Sequence, residues 1–251
     1  MMENMVWATG DTHGCFTRFE EQCFPEQKEM GRDDYVIICG DFGGMWSGGQ
    51  GDAEKLDWLE SRPFTTLFVD GNHENFDLLN ALPVQEWHGG KVHRVRPHVL
   101  HLMRGQVFDI GGRTFFTMGG AASHDIQDGI LDPADPDFEE AYWSMRRRRQ
   151  RFRVKGLSWW PEEMPADEEY AAALETLERA GWRVDYVITH CAPTGVAQKV
   201  NTEYNQDRLT DFLERVCRRL DFRCWLFGHY HGDRYVTQKH ILLWEQIVQV
   251  L

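Results

Sequence analysis

Short apolar segments alternate along this chain with segments of helical periodicity. The apolar segments are rich in β-branched and aromatic residues, which is typical of strands. They lie at 5–9, 35–39, 66–69, 184–189 and 224–227. Helices are predicted at 15–30, 52–61, 75–81 and 205–220. The last of these has the clearest pattern, because its apolar residues recur at intervals of three and four on one face.

Other segments predict strand pairs. Residues 107–120 read VFDIGGRTFFTMGG, in which Gly111 and Gly112 suit a two-residue hairpin turn. Residues 234–244 predict a second pair, whereas 122–165 shows neither pattern and is expected to be a loop-rich insert. Strands and helices that alternate, with hairpins added, indicate an α/β fold with mixed sheets. One domain is expected over residues 1–251.

Composition narrows the classes of protein that fit. Apolar residues make up 42% of the 251 and charged residues 27%, which is ordinary for a soluble globular protein. The net charge of -13 makes nucleic-acid polymers and anionic membranes poor partners. No apolar segment has membrane-spanning length, and the first ten residues lack the features of a signal peptide. The six cysteines form no CxxC pair, so reduced thiols and a cytoplasmic location are predicted.

Five of the apolar segments run into polar motifs: GDTHG, GDFGG, GNHE, ITHC and GHYH. Ligands of open α/β sheets bind beyond the carboxyl ends of the strands, so these motifs are expected to converge. Each motif alone has a structural explanation: Asp11 could cap a helix, and His190 could be a hydrogen-bonded core histidine. Together they favour a metal site. His229 and His231 lie roughly 6–7 Å apart on an extended chain, a spacing that suits two neighbouring ions.

In this order the motifs resemble the signature of the calcineurin-like metallophosphoesterases: D-x-H, G-D, G-N-H-[DE], a lone His and G-H-x-H. They stand at 11–13, 40–41, 71–74, 190 and 228–231. The resemblance implies a four-layer α/β sandwich, in which two mixed sheets lie between helices, and two divalent transition-metal ions. It assigns Asp11, His13 and His231 to one ion. It assigns Asn72, His190 and His229 to the other, with Asp41 as the bridge.

The resemblance also implies an activity, the hydrolysis of a phosphate ester by a water that bridges the two ions. Nitrogen and oxygen ligands suit Mn, Fe, Zn, Ni or Co. His73 has no ion assigned and is predicted to be a general acid or a phosphate-orienting group, with a structural turn residue as the alternative. Cys15 and Cys191 are interpreted as packing residues and not as nucleophiles. The expected substrate is a small phosphorylated molecule, a monoester or diester, with nucleotides included.

Positions 44 and 45 depart from one branch of the family. Its Ser/Thr protein phosphatases read G-D-x-x-D-R-G, whereas this chain has Gly44 and Met45. A phosphoprotein phosphatase is therefore a weakened alternative. A non-catalytic binding scaffold on the same fold is a second alternative, disfavoured because no ligand position of the signature is lost.

The insert 122–165 is predicted to select the substrate. Its candidate contacts are His124, Asp125, Arg147, Arg148, Trp159 and Trp160. The segment 146–155 carries seven positive charges, which could form a lid that grips phosphates. A solvated helix face is the alternative. The two tryptophans could stack on a base, although packing is the more common role of such residues.

Overall fold

Strands and helices alternate through most of the chain. The computed structural model describes residues 4–251. Within them the strands are β1 (Val6–Thr9), β2 (Tyr35–Ile38), β3 (Thr65–Phe68), β4 (Val84–Trp87), β5 (Gly90–Arg96), β6 (Val99–Leu102), β7 (Gln106–Ile110), β8 (Arg113–Met118), β9 (Gly129–Leu131), β10 (Phe152–Val154), β11 (Tyr186–Thr189), β12 (Cys224–Phe227), β13 (Arg234–Tyr235), β14 (His240–Leu242) and β15 (Ile247–Gln249). The α-helices are α1 (Gln50–Glu60), α2 (Phe76–Asn80), α3 (Phe138–Arg147), α4 (Asp167–Arg179), α5 (Thr194–Val200) and α6 (Arg208–Arg219).

Two large mixed sheets form the centre of the fold. The first has the strand order β15-β1-β2-β3-β6-β5-β4, and the second has the order β13-β14-β12-β11-β8-β7. Strands β1, β2, β3 and β6 are parallel, as are β8, β11, β12 and β14. Antiparallel strands complete the edges of both sheets. A separate pair, β9 with β10, is parallel.

The sheets pack face to face, and helices cover their outer faces. Buried residues of both sheets, such as Leu67 and Ile188, share the core between them. Leu56 and Leu59 of α1 pack on the outside of the first sheet. Helices α4, α5 and α6 pack on the outside of the second. The predicted sandwich of two mixed sheets flanked by helices is confirmed.

Helix α6 shows how the outer layer forms. Oδ1 of Asp207 accepts a hydrogen bond from the backbone N–H of Thr210 at 2.8 Å and caps the helix. The helix therefore begins at residue 208 and not at 205 as predicted. One face buries apolar residues against the second sheet, each contributing about 1.5–3 kcal/mol. These residues are Leu209, Phe212, Leu213 and Val216.

The predicted helix at 15–30 is wrong. That segment contains two short 3₁₀ helices, Thr17–Phe19 and Pro25–Glu29, separated by a turn. Pro25 explains the break, because proline lacks a backbone N–H and its ring clashes with the carbonyl group four residues earlier in a helix. Phe19 and Phe24 are buried nevertheless, so the apolar residues of this segment reach the core without a continuous helix.

The hairpin predicted at 107–120 is confirmed as β7 and β8. Gly111 and Gly112 have φ angles of +60° and +71°. A two-residue hairpin turn of type I′ requires positive φ at both central residues. The pair predicted at 234–244 is confirmed as β13 and β14. Strands β4, β5 and β6 were not predicted. Polar residues interrupt the apolar pattern of β4 and β5, and β6 is only four residues long.

The insert is more regular than expected. It contains α3, the β9–β10 pair and a 3₁₀ helix at Pro161–Glu163. Helix α3 has no buried residue, although Phe138, Tyr142 and Met145 recur at helical spacing. That spacing indicates a helix, so α3 could have been predicted from the sequence. Within residues 4–251, no helix combines the length and apolar content that a membrane span requires.

Candidate metal centre

The carboxyl ends of parallel strands from both sheets meet at one site. The loops after β1, β2 and β3 carry Asp11, Asp41 and Asn72. The loops after β11 and β12 carry His190 and His229. The predicted convergence of strand-end motifs therefore comes from two sheets that face each other, whereas the sequence pattern left open how the strands were divided.

Asp11, His13 and His231 form one group of potential ligands. Nε2 of His231 lies 3.1 Å from Oδ2 of Asp11 and 3.3 Å from Nε2 of His13. Nε2 of His13 lies 4.0 Å from the same Asp11 oxygen. The two imidazoles are about half exposed, so this side of the site is open to solvent.

Asp11, Asp41 and His190 form a second, buried group. Nε2 of His190 lies 3.3 Å from Oδ1 of Asp41 and 3.2 Å from Oδ1 of Asn72. The other ring nitrogen, Nδ1, lies 2.8 Å from the carbonyl oxygen of Cys39. A proton on Nδ1 would donate to that carbonyl and leave Nε2 free to bind a metal ion.

His229 lies beside the second group. Its ring centroid is 4.9 Å from that of His190, and its backbone N–H donates to Oδ1 of Asp11 at 2.9 Å. Its Nε2 lies 2.7 Å from Nε2 of His124 in the insert. The extended chain assumed for His229 and His231 is absent, because both have positive φ angles and lie in a loop.

The backbone of this site is strained. Seven non-glycine residues of the described chain have positive φ, and four of them are candidate ligands. They are His13, Asp41, His229 and His231, with φ of 46°, 47°, 67° and 45°. Such residues cost about 1–3 kcal/mol each and cluster at functional sites. The concentration at this site supports a functional and not merely structural arrangement.

Glycines allow the loops to approach closely. A Cβ at Gly71 would lie 2.0 Å from Oδ1 of Asp41, and one at Gly228 would lie 2.1 Å from Oδ1 of Asp11. These overlaps explain why the strand-end motifs contain glycine directly before or beside the polar residues.

Gly40 provides a test of this close packing. Its φ is +98°, and a Cβ there would lie 2.1 Å from Nδ1 of His190. We expect Gly40→Ala to move His190 and weaken metal binding by about 10- to 100-fold, measured by chelator competition. Gly112→Ala is the matched control, because Gly112 has φ of +71° and a Cβ there would have no atom of the described chain within 4 Å. Unchanged metal affinity in Gly40→Ala would contradict the assignment of His190.

The electrostatics of the site favour a cation. Asp11 and Asp41 are each 1% exposed, and no Lys or Arg nitrogen lies within 4.0 Å of either carboxylate in the part of the chain that the structure describes. Burial alone lowers the pKa of His190, but the charges of Asp41 and Asp11 outweigh it and raise that pKa to about 10. Buried carboxylates require compensating charge, and these oxygen and nitrogen donors fit a divalent transition metal.

His73 lies at the edge of the site without joining either group. Its ring centroid is 5.4 Å from that of His13, and its backbone N–H donates to Oδ1 of Asp41 at 2.8 Å. Burial lowers the pKa of His73, Asp41 raises it, and the charge of Arg153 lowers it. The imidazole therefore belongs to neither group of potential ligands, and Arg153 of the insert is close enough to influence its pKa.

The insert reaches the site through three consecutive residues. Ser123 Oγ lies 3.3 Å from Nδ2 of Asn72, and Glu163 accepts hydrogen bonds from both the backbone N–H and the hydroxyl of Ser123. His124 contacts His229 as described above. Asp125 forms a bidentate ion pair with Arg153. His124 thus contacts a proposed ligand and Asp125 lies next to it, and substrate contact by these two residues stays a prediction.

The other predicted contacts of the insert lie elsewhere. Arg147 and Arg148 are exposed at the end of α3. Trp160 is 3% exposed, donates from Nε1 to Asp77 at 2.7 Å and packs against Trp46. Trp160 is therefore a packing residue and not a base-stacking one. Trp159 is half-buried beside it.

Two features of the site were not predicted. Trp244 stacks on His231, with ring centroids 5.3 Å apart and planes at 15°, beside a cavity of about 690 Å³ that borders Asp11 and His13. Arg18 donates to the carbonyl oxygens of Asp11 and Trp244 and so fixes both loops. Neither residue belongs to a motif, and only the chain fold brings them to the site.

Comparison with known proteins agrees with this geometry. A family model described as calcineurin-like phosphoesterase matches residues 5–233, which include every motif from Asp11 to His231. A search of curated proteins found no match. Members of this family are metal-dependent hydrolases. With most of its length covered by that match, the chain belongs to the calcineurin-like phosphoesterase family.

Proposed function

We propose that the protein hydrolyses a small phosphate ester at a centre of two divalent transition-metal ions. Asp11, His13 and His231 would hold one ion. Asn72, His190 and His229 would hold the other, and Asp41 would contact both. When bound, the ions would neutralise phosphoryl oxygens and activate water for attack on phosphorus. Manganese is one suitable metal, and a cytoplasmic location stays a prediction.

The position of Asp41 is the observation that carries this proposal. Its Oδ1 lies 3.3 Å from Nε2 of His190, and its Oδ2 lies 3.7 Å from Nε2 of His13. The two oxygens of one carboxylate thus face histidines of the two different groups. A carboxylate in this position is suited to bridge two ions.

Neighbouring residues orient the proposed ligands. Cys39 holds the His190 ring through its carbonyl oxygen, and Ser123 holds the Asn72 amide, supported by Glu163. Such outer contacts fix the direction of a ligand atom before a metal ion binds. His73 is left to act on the substrate, either by holding a proton near the leaving oxygen or by donating to the phosphate.

The phosphoprotein phosphatase alternative is disfavoured by the packing at Gly44. A Cβ there would lie 2.5 Å from the ring of Phe42, which itself stacks on Phe68 at 4.0 Å. The aspartate of the protein phosphatase signature would not fit without moving this aromatic pair. This chain has Gly44 and Met45 where that signature has aspartate and arginine, so both polar groups are missing. Their absence supports a different substrate.

A substrate screen tests the proposal. The protein, depleted of metal and reloaded with Mn²⁺, should hydrolyse at least one of nitrophenyl phosphate, bis-nitrophenyl phosphate and a set of nucleotides. Chelation should abolish the activity and Mn²⁺ should restore it, because the proposed reaction depends on bound ions to neutralise phosphoryl oxygens and to activate water. Metal-loaded, folded protein that hydrolyses no ester would instead support the binding scaffold.

A further inference from the structure

Four arginines of the insert line one cavity. The cavity has a volume of about 760 Å³, and its arginines are Arg146, Arg149, Arg151 and Arg153. Among residues 4–251, the only acidic residue in its lining is Asp125. Tyr142 and Phe152 lie in its wall, with ring centroids 5.6 Å apart, and the guanidinium carbon of Arg146 lies 5.9 Å from the Tyr142 ring.

The charge of this cavity is mostly uncompensated. Arg153 is paired with Asp125, but Arg146, Arg149 and Arg151 have no carboxylate oxygen within 4.0 Å anywhere in residues 4–251. The chain as a whole carries a net charge of -13, so acidic partners are abundant elsewhere. Guanidinium groups that face one space repel each other, and they bind phosphate well because their geometry allows two parallel hydrogen bonds.

The cavity adjoins the metal centre. Asp125 lines the cavity and directly follows His124, whose Nε2 lies 2.7 Å from Nε2 of His229. Two consecutive residues of one loop therefore connect the cavity, which Asp125 lines, with the metal centre, which His124 contacts. Arg153 is held by Asp125 in a bidentate ion pair, so the arginine cluster is joined directly to the loop that carries His124.

We propose that this arginine cavity binds a second phosphate of the substrate, carried by the leaving group. The preferred substrates would then be small molecules with two phosphate groups, one cleaved at the metal centre and one held by Arg146, Arg149 and Arg151. This inference rests on the proposed phosphoesterase function. The arginines that contact the substrate would then differ from the predicted Arg147 and Arg148, because neither of these two lines the cavity.

Matched pairs of substrates test the inference. Fructose 6-phosphate is compared with fructose 1,6-bisphosphate, and AMP with adenosine 3′,5′-bisphosphate, both with Mn²⁺-loaded protein. We expect a KM about 10-fold lower for the bisphosphate of at least one pair, because charge-assisted hydrogen bonds are strong. The pair that responds identifies a sugar or a nucleotide as the source of the second phosphate.

Two double variants locate the effect. R146A/R151A should remove most of the preference for the bisphosphate. R147A/R148A removes the same charge from the same segment outside the cavity and should keep the preference. Calorimetric titration of chelator-treated protein with the same compounds should show the same order of affinities, which gives a readout that does not depend on turnover. The preference should also shrink as salt rises.

The outcomes separate this inference from the function on which it rests. Hydrolysis of nitrophenyl phosphate with no preference for any bisphosphate would overturn the inference alone. Equal loss of preference in both double variants would overturn it as well, since the effect would then come from the general field of the arginines. No hydrolysis of any ester, together with equal calorimetric affinities for single and double phosphates, would overturn both.

Discussion

Asp41→Asn is expected to lower kcat by about 10³-fold and to weaken the binding of both metal ions. The substitution keeps the shape of the side chain but removes its charge. Oδ1 and Oδ2 of Asp41 face His190 and His13 at 3.3 and 3.7 Å, so a neutral amide would lose one metal-facing oxygen and the bridging charge. The loss should therefore affect the two ions together.

Elemental analysis of metal-replete protein measures this effect. The wild-type chain should hold close to two ions, and the variant should hold clearly fewer. Asp185→Asn is a matched control, because Asp185 accepts hydrogen bonds from Thr114 and pairs with Arg223 outside the site. A wild-type chain that binds no more than one ion would contradict the dinuclear assignment, and so would an Asp41→Asn variant that retains both.

His73→Ala is expected to slow alkyl phosphate esters by about 10²-fold and nitrophenyl esters much less. An alkoxide is a poor leaving group and needs a proton, whereas a nitrophenolate departs without one. We expect the lower end of the usual range for proton transfer because no aspartate stands at position 44 to orient the imidazole. Metal content should be unchanged, since His73 belongs to neither ligand group.

A second variant separates the two possible roles of His73. Asparagine can donate a hydrogen bond to phosphate but cannot transfer a proton, so His73→Asn should behave like His73→Ala if the residue is a general acid. If His73→Asn retained the activity on alkyl esters, the residue would be a phosphate-orienting group.

The pH dependence gives a further check on the acid role. Burial lowers the pKa of His73 below its ordinary value, so the imidazole is mostly neutral at pH 7. Its protonated fraction increases as pH falls, so the ratio of wild-type to His73→Ala rates on alkyl esters should rise at lower pH. The comparison requires Mn²⁺ in excess, because protons compete with metal ions for the histidine ligands. A ratio that does not change with pH would argue against proton transfer.

Much of the site could be predicted because its residues are tied to local signals. A buried strand that ends in Gly and a polar residue places that residue at the sheet edge, whatever the rest of the fold does. Asp11, Asp41, Asn72 and His229 follow this rule, and His190 directly follows strand β11 without a glycine. The fold class was predictable for a similar reason, because buried parallel strands are near-continuous apolar segments. Their short length and β-branched residues distinguish them from helices.

The errors have local physical causes. Pro25 ends helical hydrogen bonding inside a segment whose apolar spacing resembled a helix. Helix α3 does carry an apolar stripe, with Phe138, Tyr142 and Met145, but the stripe is not buried and lies among charged residues. The strands β4 to β6 pair with one another through backbone hydrogen bonds, which their mixed side chains do not reveal.

The sequence by itself determined which residues could bind metal and at which strand ends they stand, because those properties depend on residue type and on short-range spacing. Only the tertiary structure decided which arginines of the insert face one cavity and that Trp244 stacks on His231. It also decided that Ser123 and His124 reach the metal centre. These contacts join segments far apart in the chain, and their distances depend on how two sheets and an insert pack. No local pattern of residues encodes such distances.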